Sequence, residues 1–381
     1  MSRTGARRIV YLSGTRADFG LMRGTLQCIA ATPGLELQVI ATGTHLSAAH
    51  GRTVDEIVAS GLTVRAQVQV DMLTRSGASM ALAIADCLSG VTAVLAREQP
   101  DLLLLLGDRG EMLAGAIAAL HLGIATAHLH GGERSGTVDE PVRHAISKLS
   151  SYHLVATPAS RDRLVAMGEE PSRIHVTGAP GLDGLVDAGA MPRDQCLAAL
   201  QLAPNARFVL ALFHPVVQQA AVAGEQTAAL VQALARFGLP VLWLEPNADA
   251  GSLQVLAVLQ QMSLPAGSRR MTHLARPLFA AALRHCEVLA GNSSAGIIEA
   301  ASFGTPVVNV GDRQRLRERN ANVIDVPADV DAIEAALRRA VGRGHIACDN
   351  LWGDGKAAGR IATLLATLPV TPPLLEKTNS Y

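Results

Sequence analysis

Short, unbroken apolar runs alternate along this chain with longer Ala- and Leu-rich stretches of helical period. RRIVYLSG (7–14) reads as a strand, and a helix follows near 19–31. LELQVIATG (35–43) is the next strand. DLLLLLGDRGEML (101–113) is apolar, ends in polar residues and enters a helix, and GIATAHLHGGE (123–133) repeats the arrangement. Strands that are apolar throughout, rather than at alternate positions, predict a parallel sheet covered on both faces. The pattern restarts with RFVLALFHPV (207–216), a helix over 224–237 and PVLWLEPN (240–247). CEVLAGNSSAGIIEAASFGTPVVNVGD (286–312) then gives strand, Gly-rich turn, helix and strand. Between the halves, 178–206 carries Gly178, Pro180, Gly181, Gly184, Gly189, Pro192 and Pro204, which marks the crossover. The predicted architecture is α/β: two doubly wound Rossmann-like domains, 1–185 and 186–355, with an interdomain cleft. The Pro-rich tail after Pro369 is expected not to be compact at its end.

Composition narrows the function. The chain has 381 residues, 49% hydrophobic and 17% charged, enough for two buried cores. Lys plus Arg equals Asp plus Glu at 33 each, which argues against a general nucleic-acid or membrane-surface binder. The five cysteines are widely spaced without a CxxC pair, so neither a disulfide framework nor a zinc ribbon is expected. The basic N-terminus lacks an apolar run long enough for a signal peptide, and no stretch is expected to reach the roughly 20 apolar residues of a membrane span. A cytoplasmic protein is expected.

Polar clusters fall where predicted strands end: GTRAD (14–18), GDRGE (107–111), HGGE (130–133), HP (214–215), EPNAD (245–249) and GNSSAG (291–296). In doubly wound sheets that is where ligands bind. Ser293 and Ser294, at a predicted helix start, suit an anion or an ordinary N-cap. Glu299 suits ribose hydroxyls or the surface. Arg16 offers a guanidinium fork for a diphosphate, or a partner for Asp18. Neither a dinucleotide fingerprint nor a P-loop is present. Glu133 and Asp108 end buried strands, where an unused carboxylate is costly. Glu140 forms a capping box with Thr137, or presents its carboxylate to the ligand. His128, His130, Glu133 and Asp108 are candidate metal ligands without HExxH spacing. His214 is an acid–base candidate or a satisfied core histidine.

In chain order, GTRADFG, ATGTHLSAAHGRTVDEI, LLLGDRGEMLAGAIAA, HGGERSGTVDEPVRHAISKLS, VTGAPGLD, HP, PNADAGS, GNSSAGIIEA, VVNVGDRQRLR, NVIDV and GDGKAAGRIATLL resemble the hydrolysing UDP-N-acetylglucosamine 2-epimerases of bacterial sialic-acid and legionaminic-acid pathways. The resemblance covers nearly the whole chain. It implies a GT-B-like fold, no cofactor, no metal, and a helix near 356–368 that returns to the N-terminal domain. It implies a catalytic group of Asp108, Glu133, Glu140 and His214. Arg16, Arg109, Ser293, Ser294 and Glu299, with Asn247 and Arg313, would hold the nucleotide. A nucleotide-sugar substrate and a homo-oligomer, dimer or tetramer, are implied, with neither nucleic acid nor membrane as partner. The chain departs from the family in Ala295 where a third serine is common, Phe19 where Tyr is common, and Leu21-Met22 where a Lys is frequent.

The implied reaction is UDP-N-acetylglucosamine plus water to N-acetylmannosamine plus UDP, through elimination to a glycal and hydration. The C2 proton has no adjacent carbonyl, so the C1–O bond must break early. That calls for cations on the diphosphate and a carboxylate near C2. Another UDP- or GDP-linked acetamido sugar, a non-hydrolysing epimerase, a GT-B glycosyltransferase and a nucleotide-sugar sensor are the alternatives.

Overall fold

Among the described residues thirteen strands, every pairing among them parallel, carry the fold. A computed structural model describes residues 5–47, 51–70, 76–136, 139–246 and 249–380. Two units result: Met1–Glu133, Asp139–Asp183 and Trp352–Tyr381 form one; Arg134–Val138 and Gly184–Leu351 form the other.

The first unit holds β1 (Arg7–Ser13), β2 (Leu35–Thr42), β3 (Val64–Val68), β4 (Leu102–Leu106), β5 (Ala125–Leu129), β6 (Tyr152–Val155) and β7 (Ile174–Val176). Their spatial order is β3-β2-β1-β4-β5-β6-β7. The second holds β8 (Val209–Leu212), β9 (Val241–Leu244), β10 (Arg269–Met271), β11 (Val288–Gly291), β12 (Val307–Val310) and β13 (Val323–Val326), ordered β10-β9-β8-β11-β12-β13. Each sheet runs outward in both directions from its first strand, so the order reverses between β1 and β4 and again between β8 and β11. The loops leaving those strands face the crevice such a reversal opens.

Strand β4 is five consecutive leucines, all buried, because odd and even side chains serve different cores. Leu102 and Leu104 join Ile9, Met22 and Leu26; Leu103 and Leu105 join Val10, Leu12 and Val91. The first helix spans Arg16–Ala31, three residues earlier than its apolar pattern indicated. A capping box between Thr15 and Asp18 starts it, and polar caps leave no mark on hydrophobic period. Helix Ala357–Thr367 buries Ile361 and Leu365 in the same core as Met22 and Leu26.

Two expectations are corrected. Helix Gly77–Glu98 is long and apolar enough, by length and composition, to cross a membrane, with a mean hydropathy of 1.8 over 18 residues. Asp86, Ser89 and Gly90 interrupt the run without lowering its average much. The helix places Cys87, Val91, Val94 and Leu95 in the core beneath β4. The described residues of the tail after Pro369 are tied to the first unit rather than loose. Tyr152 Oη donates to Pro369 O at 2.7 Å and Arg173 Nη1 to Leu374 O at 3.0 Å. Lys377 Nζ donates to Ser147 O, Lys148 O and Ser150 O at 2.8–2.9 Å. These carbonyls end helix Asp139–Leu149, which leaves them without intrahelical partners. Lys377 also lies 2.5 Å from the buried carboxylate of Glu169.

Candidate active site

Parallel register fixes which loops meet. Ile9 of β1 pairs with Leu102 of β4, and Leu106 of β4 with Leu129 of β5. The GTRAD, GDRGE and HGGE loops therefore leave adjacent strand ends.

Asp108 and Glu133, from the second and third of these loops, are joined by Arg143. Its Nη2 donates to Asp108 Oδ2, and its Nη1 lies 3.5 Å from Glu133 Oε2. Nη1 also donates to His130 O at 2.8 Å. Arg143 is 1% exposed and Glu133 2%. Burial opposes the guanidinium charge, but the Asp108 and Glu133 carboxylates outweigh it and hold its pKa above the usual arginine value. The cation offsets the repulsion between two carboxylates. Glu133 Oε1 also accepts from His130 Nδ1. His130 takes the left-handed conformation, φ +61°, which turns its carbonyl to Arg143 and its ring to Glu133.

His128 is fully buried and separate from this chemistry. Its Nε2 lies 2.7 Å from Gly107 O, which can only accept, so Nε2 carries the proton and Nδ1 accepts from Ser147 Oγ at 3.1 Å. Burial lowers its pKa to about 3, so it is a neutral core histidine. Among the described residues, no three His, Cys, Asp or Glu side chains are grouped as metal ligands. Glu140 lies in the first turn of helix Asp139–Leu149 beside Asp139, with Oε1 3.7 Å from His144 Nε2. Thr137, its expected capping partner, lies outside the described residues.

At the end of β1, Asp18 is not the partner of Arg16. Its carboxylate accepts from Gly14 N at 2.9 Å, Thr15 N at 2.8 Å and the Ser13 hydroxyl. Ser13 spends its proton on Asp18, so His45 Nε2, 2.9 Å away, donates to Ser13 Oγ. Nδ1 then accepts from Thr53 Oγ1 at 2.8 Å. Burial lowers the His45 pKa and raises that of Asp18. Gly43, at φ +58°, seats the next loop against this one; a Cβ there would lie 2.6 Å from Gly14 O. Arg16 instead pairs with Glu56, Nε to Oε2 at 3.0 Å and Nη2 to Oε1 at 2.5 Å. Arg109 precedes helix Gly110–His121, its Nε 3.5 Å from Glu111 Oε2.

In the second unit, register again assembles a cluster. Gly291 of β11 pairs with Leu212 of β8, which places the GNSSAG and HP loops side by side. The strands approach so closely that a Cβ on Gly291 would lie 1.9 Å from Leu212 O. Asn292 locks the loops: Oδ1 accepts from His214 N at 2.7 Å, and Nδ2 donates to His214 O at 2.8 Å. Arg313 Nη1 and Gln314 Nε2 donate to Asn292 O at 3.2 and 3.1 Å. Burial, reinforced by Arg313 and opposed by Asp249, lowers the His214 pKa to about 3, so the ring is held neutral. Ser293 is the N-cap, its hydroxyl accepting from Ala295 N at 3.3 Å, and Ser294 is the first helical residue. That helix, Ser294–Ile298, is only five residues long, so its N-terminal field is local to a few N–H groups. Glu299 is 4% exposed and ion-paired with Arg276, so the surface reading of this residue is corrected. Asn247 lies outside the described residues.

Arg143 and Asn292 are the residues sequence reasoning did not assign, and His130, weighed there as a metal ligand, is instead a hydrogen-bond partner of Glu133. Arg143 follows Asp139 by one helical turn, a spacing that puts both on one face and was the available signal. Asn292 was hidden inside a motif read for its hydroxyls.

In this GT-B-like α/β chain, charged and hydroxyl-bearing loops stand at the sheet reversal of each unit. The model of the family described as UDP-N-acetylglucosamine 2-epimerase matches residues 27–366, and the chain belongs to that family. A Legionella pneumophila relative, UDP-N,N'-diacetylbacillosamine 2-epimerase (hydrolyzing), is 47% identical over 98% of this chain and 100% of its own length. The UDP-N-acetylglucosamine 2-epimerase of Neisseria meningitidis serogroup B is 32% identical over 92% of this chain and 91% of its own. The Methanocaldococcus jannaschii UDP-GlcNAc 2-epimerase, solved with UDP-GlcNAc and UDP, shares the fold: TM-score 0.80 at 18% identity, covering 94% of this chain and 99% of that one.

Proposed function

We propose that this chain is a hydrolysing 2-epimerase of a UDP-linked diacetamido sugar, UDP-N,N'-diacetylbacillosamine, releasing UDP and the free 2-epimer. The buried Asp108–Arg143–Glu133 network carries the acid–base part of the reading. The sugar assignment rests on the 47% identity to the Legionella enzyme over its whole length.

In the first step a carboxylate, Asp108 or Glu133, takes the C2 proton while the C1–O bond breaks and UDP departs with the electron pair, leaving a glycal. The same carboxylates stabilise the positive charge at C1, and Arg16 and Arg109 stabilise the leaving diphosphate. In the second step a proton returns to C2 on the opposite face and water adds to C1. Glu140 and neutral His214 are the groups for that proton and that water. Ser293, Ser294, Glu299 and Arg313 serve the nucleotide. The sum is substrate plus water to epimer plus UDP.

Incubation with UDP-N,N'-diacetylbacillosamine in heavy water, followed by NMR, tests this. Free 2-epimer carrying deuterium at C2, with one UDP per sugar, is the expected result. An epimerised sugar still attached to UDP overturns the hydrolysing assignment. UDP-N-acetylglucosamine is the second reading, favoured by the 32% identity to the Neisseria enzyme; it prevails if that substrate turns over and the diacetamido sugar does not.

A further inference from the structure

Arg16 already holds an anion, and it belongs to the protein. The Glu56 carboxylate meets the guanidinium along the edge formed by Nε and Nη2, at 3.0 and 2.5 Å. This is the two-pronged geometry in which arginine also takes a phosphate. One guanidinium edge cannot serve both.

Both side chains stand on anchored backbones. The loop leading to Arg16 is fixed by Asp18, which takes the N–H groups of Gly14 and Thr15, and by Thr44 N, which donates to Gly14 O at 2.9 Å. Glu56 lies on helix Val54–Ala59, whose preceding residue Thr53 bonds His45 Nδ1, while His45 Nε2 bonds Ser13. One buried imidazole thus ties together the supports of both partners. The pair itself is open to water, with side chains 33% and 44% exposed, so exchange of carboxylate for phosphate needs only side-chain rotation.

We infer that Glu56 is an internal competitor for the diphosphate at Arg16, a residue that sets nucleotide affinity by occupying the guanidinium before the substrate arrives and again as UDP leaves. This rests on the reading of Arg16 as a diphosphate clamp. The pair is exposed, so the competition is modest, and its removal should tighten diphosphate binding about 1.5- to 5-fold.

The test is titration of UDP into the wild type, Glu56→Gln, Arg16→Met and the double variant, with steady-state kinetics on each. Glu56→Gln should bind UDP about 1.5- to 5-fold more tightly, with KM and the UDP inhibition constant falling by the same factor and Tm unchanged. The gain should shrink on going to about 0.5 M salt and vanish in the Arg16→Met background, whereas a purely structural role would move neither. Unchanged or weaker UDP binding by Glu56→Gln, with Arg16→Met clearly weakened, overturns the inference and leaves the clamp standing. Unchanged binding by Arg16→Met overturns the clamp itself and the inference with it.

Discussion

Replacing Arg143 by Met removes the only atoms that touch both Asp108 and Glu133 in the network described above. The side chains are of similar length, so the lesion is one of charge and hydrogen bonds more than of volume. Glu133, with its side chain 1% exposed, loses its guanidinium neighbour while keeping the His130 contact, and Asp108 loses its direct guanidinium contact. Stripping one partner from a buried pair costs about 3–5 kcal/mol, because the remaining charge stays desolvated. For a unit of about 200 residues, unfolding entropy near 2.1 cal/mol/K per residue turns that into a fall of about 7–12 °C in melting temperature. Calorimetry with nucleotide-free protein measures it. Activity should drop further than stability explains, because the cation also positions both carboxylates. Adding Asp108→Asn and Glu133→Gln to the Met variant should recover much of the lost stability, since neutral amides need no counter-charge, while activity stays lost. An Arg143→Met protein that melts within about 2 °C of wild type and keeps its turnover refutes the reasoning.

Asp108→Asn and Glu133→Gln, made singly, should retain UDP binding and lose most turnover; near-normal rates in both would remove these residues from the chemistry. His128, with a pKa held at about 3, stabilises the fold fully above the unfolded value of about 6.5 and loses that contribution as pH falls toward 3, at up to about 1.4 kcal/mol per pH unit. Urea denaturation between pH 7 and 4 should therefore be flatter in His128→Gln than in wild type, and parallel curves would contradict the assignment. Lys377→Met removes one of the two lysines paired with Glu169 and the side-chain donor to the Ser147, Lys148 and Ser150 carbonyls, and should lower the melting temperature by several degrees without altering the UDP dissociation constant.

The parallel α/β character was legible because buried strands such as LLLLL admit few other readings, and the candidate site loops stood out because polar clusters followed those strands. Strand ends, however, do not say which polar groups pair. Arg16 was weighed against Asp18, two residues away, yet its partner is Glu56, forty positions along the chain. Period-based reasoning sees only neighbours on one element, and that contact depends on how separate elements pack. The tail was misread for a related reason. Its composition is that of a loose end, and only the open carbonyls at the end of a helix more than 200 residues earlier give Lys377 somewhere to go. Helix Gly77–Glu98 escaped because scattered polar residues hide an average hydropathy.

The discontinuity of the first unit bears on its biosynthesis. Its seven strands emerge from the ribosome before residue 184, but helix Ala357–Thr367 and the Lys377 anchor are translated only after the whole second unit. The nascent first sheet must wait, for many seconds at about 5–20 residues per second, with Met22 and Leu26 lacking the helix that seals them. That interval is when a chaperone would find its apolar surface, and when premature termination would leave a chain with a finished second unit and an unsealed first.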